Sequence, residues 1–245
     1  DTEHAKLEHL LYVPFTNCIL TPDSFKKNFG IKHIRFAGSM DMAYLHPVYY
    51  KSNNQLIDDL KLKNKSYFFL RFVNWSASHD LGQTGFSFKG KAELVKLLSK
   101  YGEVLISAEG NLPDEFRKYS YTGKPYQIHT VLENAKMFIS ESGSMATEAA
   151  ILGTPSIMVN TSAKYFGVFE HISKFNNLYY YDNEKYAIEK IKSLLEFEYL
   201  KSKANADEYI QNSINLTDFM IWFVENYPSS FNTMKENPDY QFNFK

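Results

Sequence analysis

The stretch that most constrains this chain is residues 136–160. Lys136–Ser140 reads as a short buried strand, and Ser142-Gly143-Ser144 as a tight turn of small residues. A short alanine-rich helix follows, and Ser156–Asn160 starts the next buried strand. Gly153-Thr154-Pro155 stops the helix, because glycine accepts a left-handed cap and proline cannot continue a helix. Small side chains at 142–144 let backbone N–H groups approach a ligand closely. The positive end of the helix points at the same spot, which suits an anion such as a diphosphate. Glu148 lies four residues beyond Ser144, on the helix face that returns towards the turn. A carboxylate there is placed to accept hydrogen bonds from a sugar diol. As plain structure, the same stretch is an ordinary strand–turn–helix of an α/β domain.

Strands and helices alternate on both sides of this stretch. Ser66–Val73 is an almost continuous apolar run broken by Arg71, as expected of a strand buried on both faces. Lys91–Tyr101 carries Leu94, Leu97 and Leu98 at helical spacing. Glu103–Ser107 reads as a strand, Asp114–Tyr119 and Ile128–Ala135 as short helices, Leu178–Tyr181 as a strand and Glu184–Glu196 as a helix. The alternation predicts a parallel sheet covered by helices, with the ligand at the carboxyl ends of the strands. Residues 1–46 hold short strand candidates, Asn17–Thr21 and His33–Ala37, with a helical turn or two expected over Asp23–Gly30. Residues 47–65 are polar and irregular and read as a crossing between lobes. Residues 66–198 form the alternating domain. Residues 199–245 are a tail with one or two helices up to Tyr227.

Bulk properties exclude several classes. Charged residues are 22 % of the 245 and the net charge is −1, which argues against nucleic-acid binding through bulk positive charge. A single cysteine, Cys18, excludes an internal disulfide and a cysteine-cluster metal site. No metal is expected, since the histidines are scattered and no H-E-x-x-H occurs. No apolar run approaches the ~18 residues of a membrane span, and no signal peptide is visible. The expected location is cytoplasmic, with peripheral membrane association left open. The chain opens on Asp1, inside what reads as the motif Asp1-Thr2-Glu3-His4-Ala5. The expectation is that part of a first lobe lies upstream.

The full pattern S-G-S-x-x-x-E-A-x-x-x-G-x-P resembles the nucleotide-sugar site of GT-B glycosyltransferases and of the related hydrolysing UDP-N-acetylglucosamine 2-epimerases. Together with Asp1-Thr2-Glu3, Arg71–Asp80 and Ile106–Gly110, it looks like a prokaryotic domain-of-unknown-function family of that fold. The resemblance implies a C-terminal Rossmann-like domain plus the remnant of an incomplete N-terminal Rossmann-like lobe. It implies that Ser142, Gly143 and Ser144 take the diphosphate and Glu148 the ribose. In GT-B relatives the region of Lys124–His129 lines the base, which would bring Tyr126 or His129 to it; helix capping and core packing are the competing uses. His79 and Asp80 fall in the loop where epimerases carry a functional histidine, although the epimerase run of histidine, arginine, arginine and glutamate is absent. Glu3 matches, over a few residues, an acidic position of the epimerase first lobe. These three are the catalytic candidates.

The function implied is transfer of sugar from a nucleotide-sugar, with a UDP-sugar the leading donor, in polysaccharide or glycoconjugate biosynthesis. The alternatives are a UDP-N-acetylhexosamine 2-epimerase-like reaction and a non-catalytic nucleotide-sugar-binding module. The expected partners are the nucleotide-sugar, as substrate, and an acceptor of unknown identity; no cofactor is expected.

Overall fold

The computed structural model describes residues 3, 5–62, 66–73, 84–196 and 203–245. Its first part holds helix α1 (Lys6–Tyr12), strand β1 (Ile19–Pro22), strand β2 (His33–Phe36) and the one-turn helix α2 (Met42–Leu45). β1 and β2 pair in parallel as a two-stranded sheet. Helix α3 (Asn54–Asp59) leads to the alternating part. That part runs β3 (Tyr67–Phe72), α4 (Phe88–Leu98), β4 (Glu103–Ala108), α5 (Ile128–Asn134), β5 (Met137–Ser140), α6 (Gly143–Ile151), β6 (Ser156–Val159), α7 (Gly167–Ser173), β7 (Leu178–Tyr181) and α8 (Glu184–Glu196). Helices α9 (Lys203–Asn212), α10 (Leu216–Glu225) and α11 (Ser229–Glu236) follow.

The second sheet is five-stranded and parallel, in the order β4-β3-β5-β6-β7. Its strands are apolar on both faces because helices cover both. Phe68, Leu70 and Phe72 of β3 join Leu94 and Leu98 of α4 and Ile188 and Ile191 of α8. The alternate residues Tyr67 and Phe69 join Val131 of α5, Ala146 and Ala149 of α6 and Phe169 of α7. That second core continues without a break into Ile34 and Phe36 of β2 and into Phe219 and Phe223 of α10. The chain leaves β3 towards one edge and β5 towards the other. The crevice of such a sheet opens at the carboxyl ends of these two neighbours.

The C-terminal helices brace the first part through named contacts. The Thr217 hydroxyl donates to Ala43 O at 2.5 Å, the Ala37 N–H donates to Gln241 Oε1 at 2.7 Å, and Lys235 Nζ donates to His33 O at 2.8 Å.

Two local expectations need correction. Residues 23–29 form no helix: after a turn at 23–24 the chain is irregular, and a one-turn 3-10 helix begins only at Gly30. The Arg35 guanidinium takes the carbonyls of Asp23 (2.9 Å), Phe25 (2.5 Å) and Lys27 (2.8 Å), which a helix would need for itself. Asp114–Tyr119 is the short helix expected there, in 3-10 form. The stretch after Tyr227 is helical in α11, where no periodicity was evident.

Candidate functional site

The crevice is built around the start of α6. Ser140 ends β5 fully buried; its hydroxyl donates to Ser142 O at 2.7 Å and accepts the Ser142 N–H at 3.0 Å. That local turn redirects the chain into α6, with Ser142 as its extended N-cap residue. The Ser142 side chain makes no capping bond, so the first N–H groups of α6 are not consumed by it. Gly143 is glycine for a packing reason. A Cβ there would stand 2.6 Å from Cζ of Phe169 on α7. At the far end Gly153 (φ +81°) closes α6. Its N–H donates to Ala150 O at 3.1 Å and that of Thr154 to Ala149 O at 2.8 Å, the paired bonds of a left-handed helix cap.

Glu148 sits one turn into α6 with its side chain only 12 % exposed. The Tyr44 hydroxyl donates to its Oε1 at 2.7 Å, and His129 Nε2 lies 3.5 Å from the same atom. The Tyr44 and His129 rings stack at 5.5 Å, and Tyr50 meets His129 edge-on at 6.2 Å. Tyr44 also reaches Asp41 Oδ1 at 3.1 Å, and the Ser39 hydroxyl donates to Asp41 Oδ2 at 2.9 Å. Burial raises the Asp41 carboxyl above the ordinary carboxylate range, and the Glu148 charge raises it further against the hydrogen bonds it receives. Burial and the same two carboxylates push the Tyr44 phenol up. The structure therefore gathers two of the expected residues, Glu148 and His129, with two that sequence reading missed, Asp41 and Tyr44.

A second missed carboxylate is Glu141, buried directly behind the turn. It accepts the N–H groups of Val73 and Phe86, each at 2.8 Å, and pairs with Lys91 at 3.1 Å. Burial raises its pKa while Lys91 opposes the rise. Glu141 thus ties both flanks of the β3–α4 connection to the end of β5. His79 and Asp80 belong to that connection and lie outside the described residues. On β3, Arg71 donates to Ser107 Oγ at 2.7 Å and pairs with Glu109 at 2.9 Å.

Glu3 is buried at the start of α7. Its Oε1 accepts the Gly167 N–H at 2.7 Å and the Lys26 N–H at 3.4 Å, while its buried Oε2 has no partner among the described residues. Since Phe169 of the same helix covers Gly143, α7 is the element linking Glu3 to the turn. Among the described residues, no group of three or more His, Cys, Asp or Glu side chains is arranged to hold a metal. Likewise, no described helix is long and apolar enough to cross a membrane.

A parallel Rossmann-like sheet with its crevice at the β3–β5 switch is the α/β arrangement of the GT-B fold, and solved GT-B structures match it. The chain belongs to the family described as "Protein of unknown function (DUF354)", which it matches over residues 1–229. No curated protein matches it at a significant level. The S. aureus MnaA–UDP structure aligns with a TM-score of 0.55 at 11 % identity, over 93 % of this chain and 64 % of that one. The UDP-GlcNAc 2-epimerase from Neisseria meningitidis, bound to UDP-GlcNAc, aligns with a TM-score of 0.53 at 13 % identity, over 91 % of this chain and 63 % of that one. The wall teichoic acid polymerase TagF, soaked with CDPG, aligns with a TM-score of 0.52 at 13 % identity, over 94 % of this chain and 61 % of that one. The chain thus spans less than two thirds of each.

Proposed function

We propose that this chain carries the nucleotide-sugar site of a GT-B-type glycosyltransferase, with a UDP-sugar as donor. The observation that carries the reading is the Glu148 carboxylate, held by Tyr44 one turn beyond a helix start at the carboxyl end of β5. A ribose diol would bind that carboxylate, and the diphosphate would meet the first N–H groups of α6, where partial positive charge favours an anion. His129 would stand beside the base. In the transfer, an acceptor hydroxyl oxygen bonds the anomeric carbon as the bond to the diphosphate oxygen breaks. The hydroxyl proton passes to a base, for which Glu3 is the described candidate, and His79 or Asp80 the others. The helix end stabilises the departing diphosphate in the same way as it binds it, without a metal in the scheme.

The test is calorimetric titration of UDP and UDP-GlcNAc into the chain and into Glu148→Ala. Loss of a charged hydrogen bond is worth ~1.5–3 kcal/mol, so the variant should bind roughly 10- to 150-fold more weakly. Equal affinity in the folded variant would refute the ribose assignment. Binding with no sugar transfer to any acceptor would favour the non-catalytic module.

A further inference from the structure

Resting on the nucleotide reading above, we propose that Tyr44 is a positioning residue for the ribose contact: its hydroxyl and the His129 ring clamp Glu148 Oε1, so that Oε2 is the oxygen presented to a ribose hydroxyl. Both contacts converge on Oε1, at 2.7 Å from the Tyr44 hydroxyl and 3.5 Å from His129 Nε2. Among the described residues, no hydrogen bond engages Oε2. A glutamate on a helix samples several rotamers and presents either oxygen. A donor fixed on one oxygen removes that freedom before the ligand arrives, and less ordering is then lost on binding.

Tyr44 is itself fixed. Its ring stacks on His129, and α2 is tied to α10 by the Thr217 hydroxyl on Ala43 O. One phenolic proton cannot serve both carboxylates it touches. The shorter contact, to Glu148, takes it. Asp41 Oδ1 stands 3.1 Å from the same phenol oxygen, and burial shifts its carboxyl upward. The contacts run from Asp41 through Tyr44 to Glu148, from the β2–α2 segment into the parallel domain. Ribose recognition thereby depends on a residue 104 positions away in sequence.

The experiment titrates UDP and 2′,3′-dideoxy-UDP into the wild-type chain, Tyr44→Phe, Glu148→Ala and the double variant. Tyr44→Phe keeps the stacked ring and removes one oxygen. The expected result is UDP binding weakened about three- to tenfold, the worth of one ordinary hydrogen bond. Dideoxy-UDP should bind Tyr44→Phe and wild type equally, and Tyr44→Phe should add nothing in the Glu148→Ala background. Unchanged or tighter UDP binding by Tyr44→Phe would overturn the proposal, the latter by making the phenol a competitor for the carboxylate. An equal loss for UDP and dideoxy-UDP would also overturn it, because a role in general packing would weaken both. A folded wild-type chain that does not bind UDP, or Glu148→Ala binding as wild type does, would instead sink the nucleotide reading itself.

Discussion

Replacing Gly143 by alanine tests how the turn is built. The new methyl would stand 2.6 Å from Phe169 Cζ and 3.2 Å from Cε1. Carbon atoms rest at about 3.5–4.0 Å, so the ring must withdraw by roughly 1 Å. It has little room, since Phe169 is buried and packs on Phe166 at 5.2 Å and Tyr180 at 6.4 Å. Overpacking of this kind costs about 1–3 kcal/mol. Alanine recovers up to ~1 kcal/mol over glycine in a helix interior, and less at the first helical residue. The expected net loss is about 1–2 kcal/mol, or a fall of roughly 2–8 °C in Tm for a chain of this size. Urea denaturation of Gly143→Ala, Phe169→Leu and the double variant measures it. Shortening Phe169 opens space, so the double variant should be more stable than the sum of the single losses by at least ~0.5 kcal/mol. Strict additivity, or a Gly143→Ala chain as stable as wild type, would refute the claim that Phe169 dictates this glycine.

Acid should destabilise the fold through His33. Burial first, then the Arg35 and Lys235 charges, lower its pKa from 6.5 to about 4. The neutral ring fits its bonds: Nδ1 accepts the Phe29 N–H at 3.3 Å and Nε2 donates to Thr21 Oγ1 at 2.7 Å. Between pH 6.5 and 4 the unfolded chain binds a proton that the folded chain refuses. The His33 contribution is therefore complete above that window and falls as pH drops through it, by at most ~3 kcal/mol. His33→Gln should flatten this part of the urea-midpoint profile; parallel profiles for the two proteins would exclude His33 as the cause. Glu141→Gln should cost about 3 kcal/mol by leaving Lys91 unpaired and weakening the grip on two amides. Hydrogen exchange at Val73 and Phe86 should rise above that of the sheet, and unchanged protection there would contradict the tie.

The parts of the fold that were legible are those with a local signal. β3, β5 and β6 announce themselves as apolar runs, and α6 by its Gly-Thr-Pro stop, so the ligand-facing end of the sheet and the place of Glu148 on α6 followed from spacing, whereas the strand order that sets the switch point did not. What escaped depends on distant partners. Nothing near Asp23–Gly30 says that Arg35 will claim its carbonyls. Nothing near Glu148 says that Tyr44 will reach it, because that contact forms only when α2 docks against α10. Glu141 lay inside the recognised motif and still went unassigned, since its partners Val73, Phe86 and Lys91 come from the β3–α4 region. A usable clue was present at Ser39-Met40-Asp41, a polar cluster just beyond a strand's carboxyl end, where ligand-facing groups of parallel sheets gather.

The central claim is that Glu148 and the start of α6 hold a uridine nucleotide, and the most direct measurement is a crystal structure of this chain with UDP. The account predicts a ribose hydroxyl within about 2.6–3.2 Å of Glu148 Oε2, Tyr44 still on Oε1, and the diphosphate against the N–H groups that open α6. UDP seated elsewhere, or a ribose turned away from Glu148 with the Tyr44 contact intact, would contradict it.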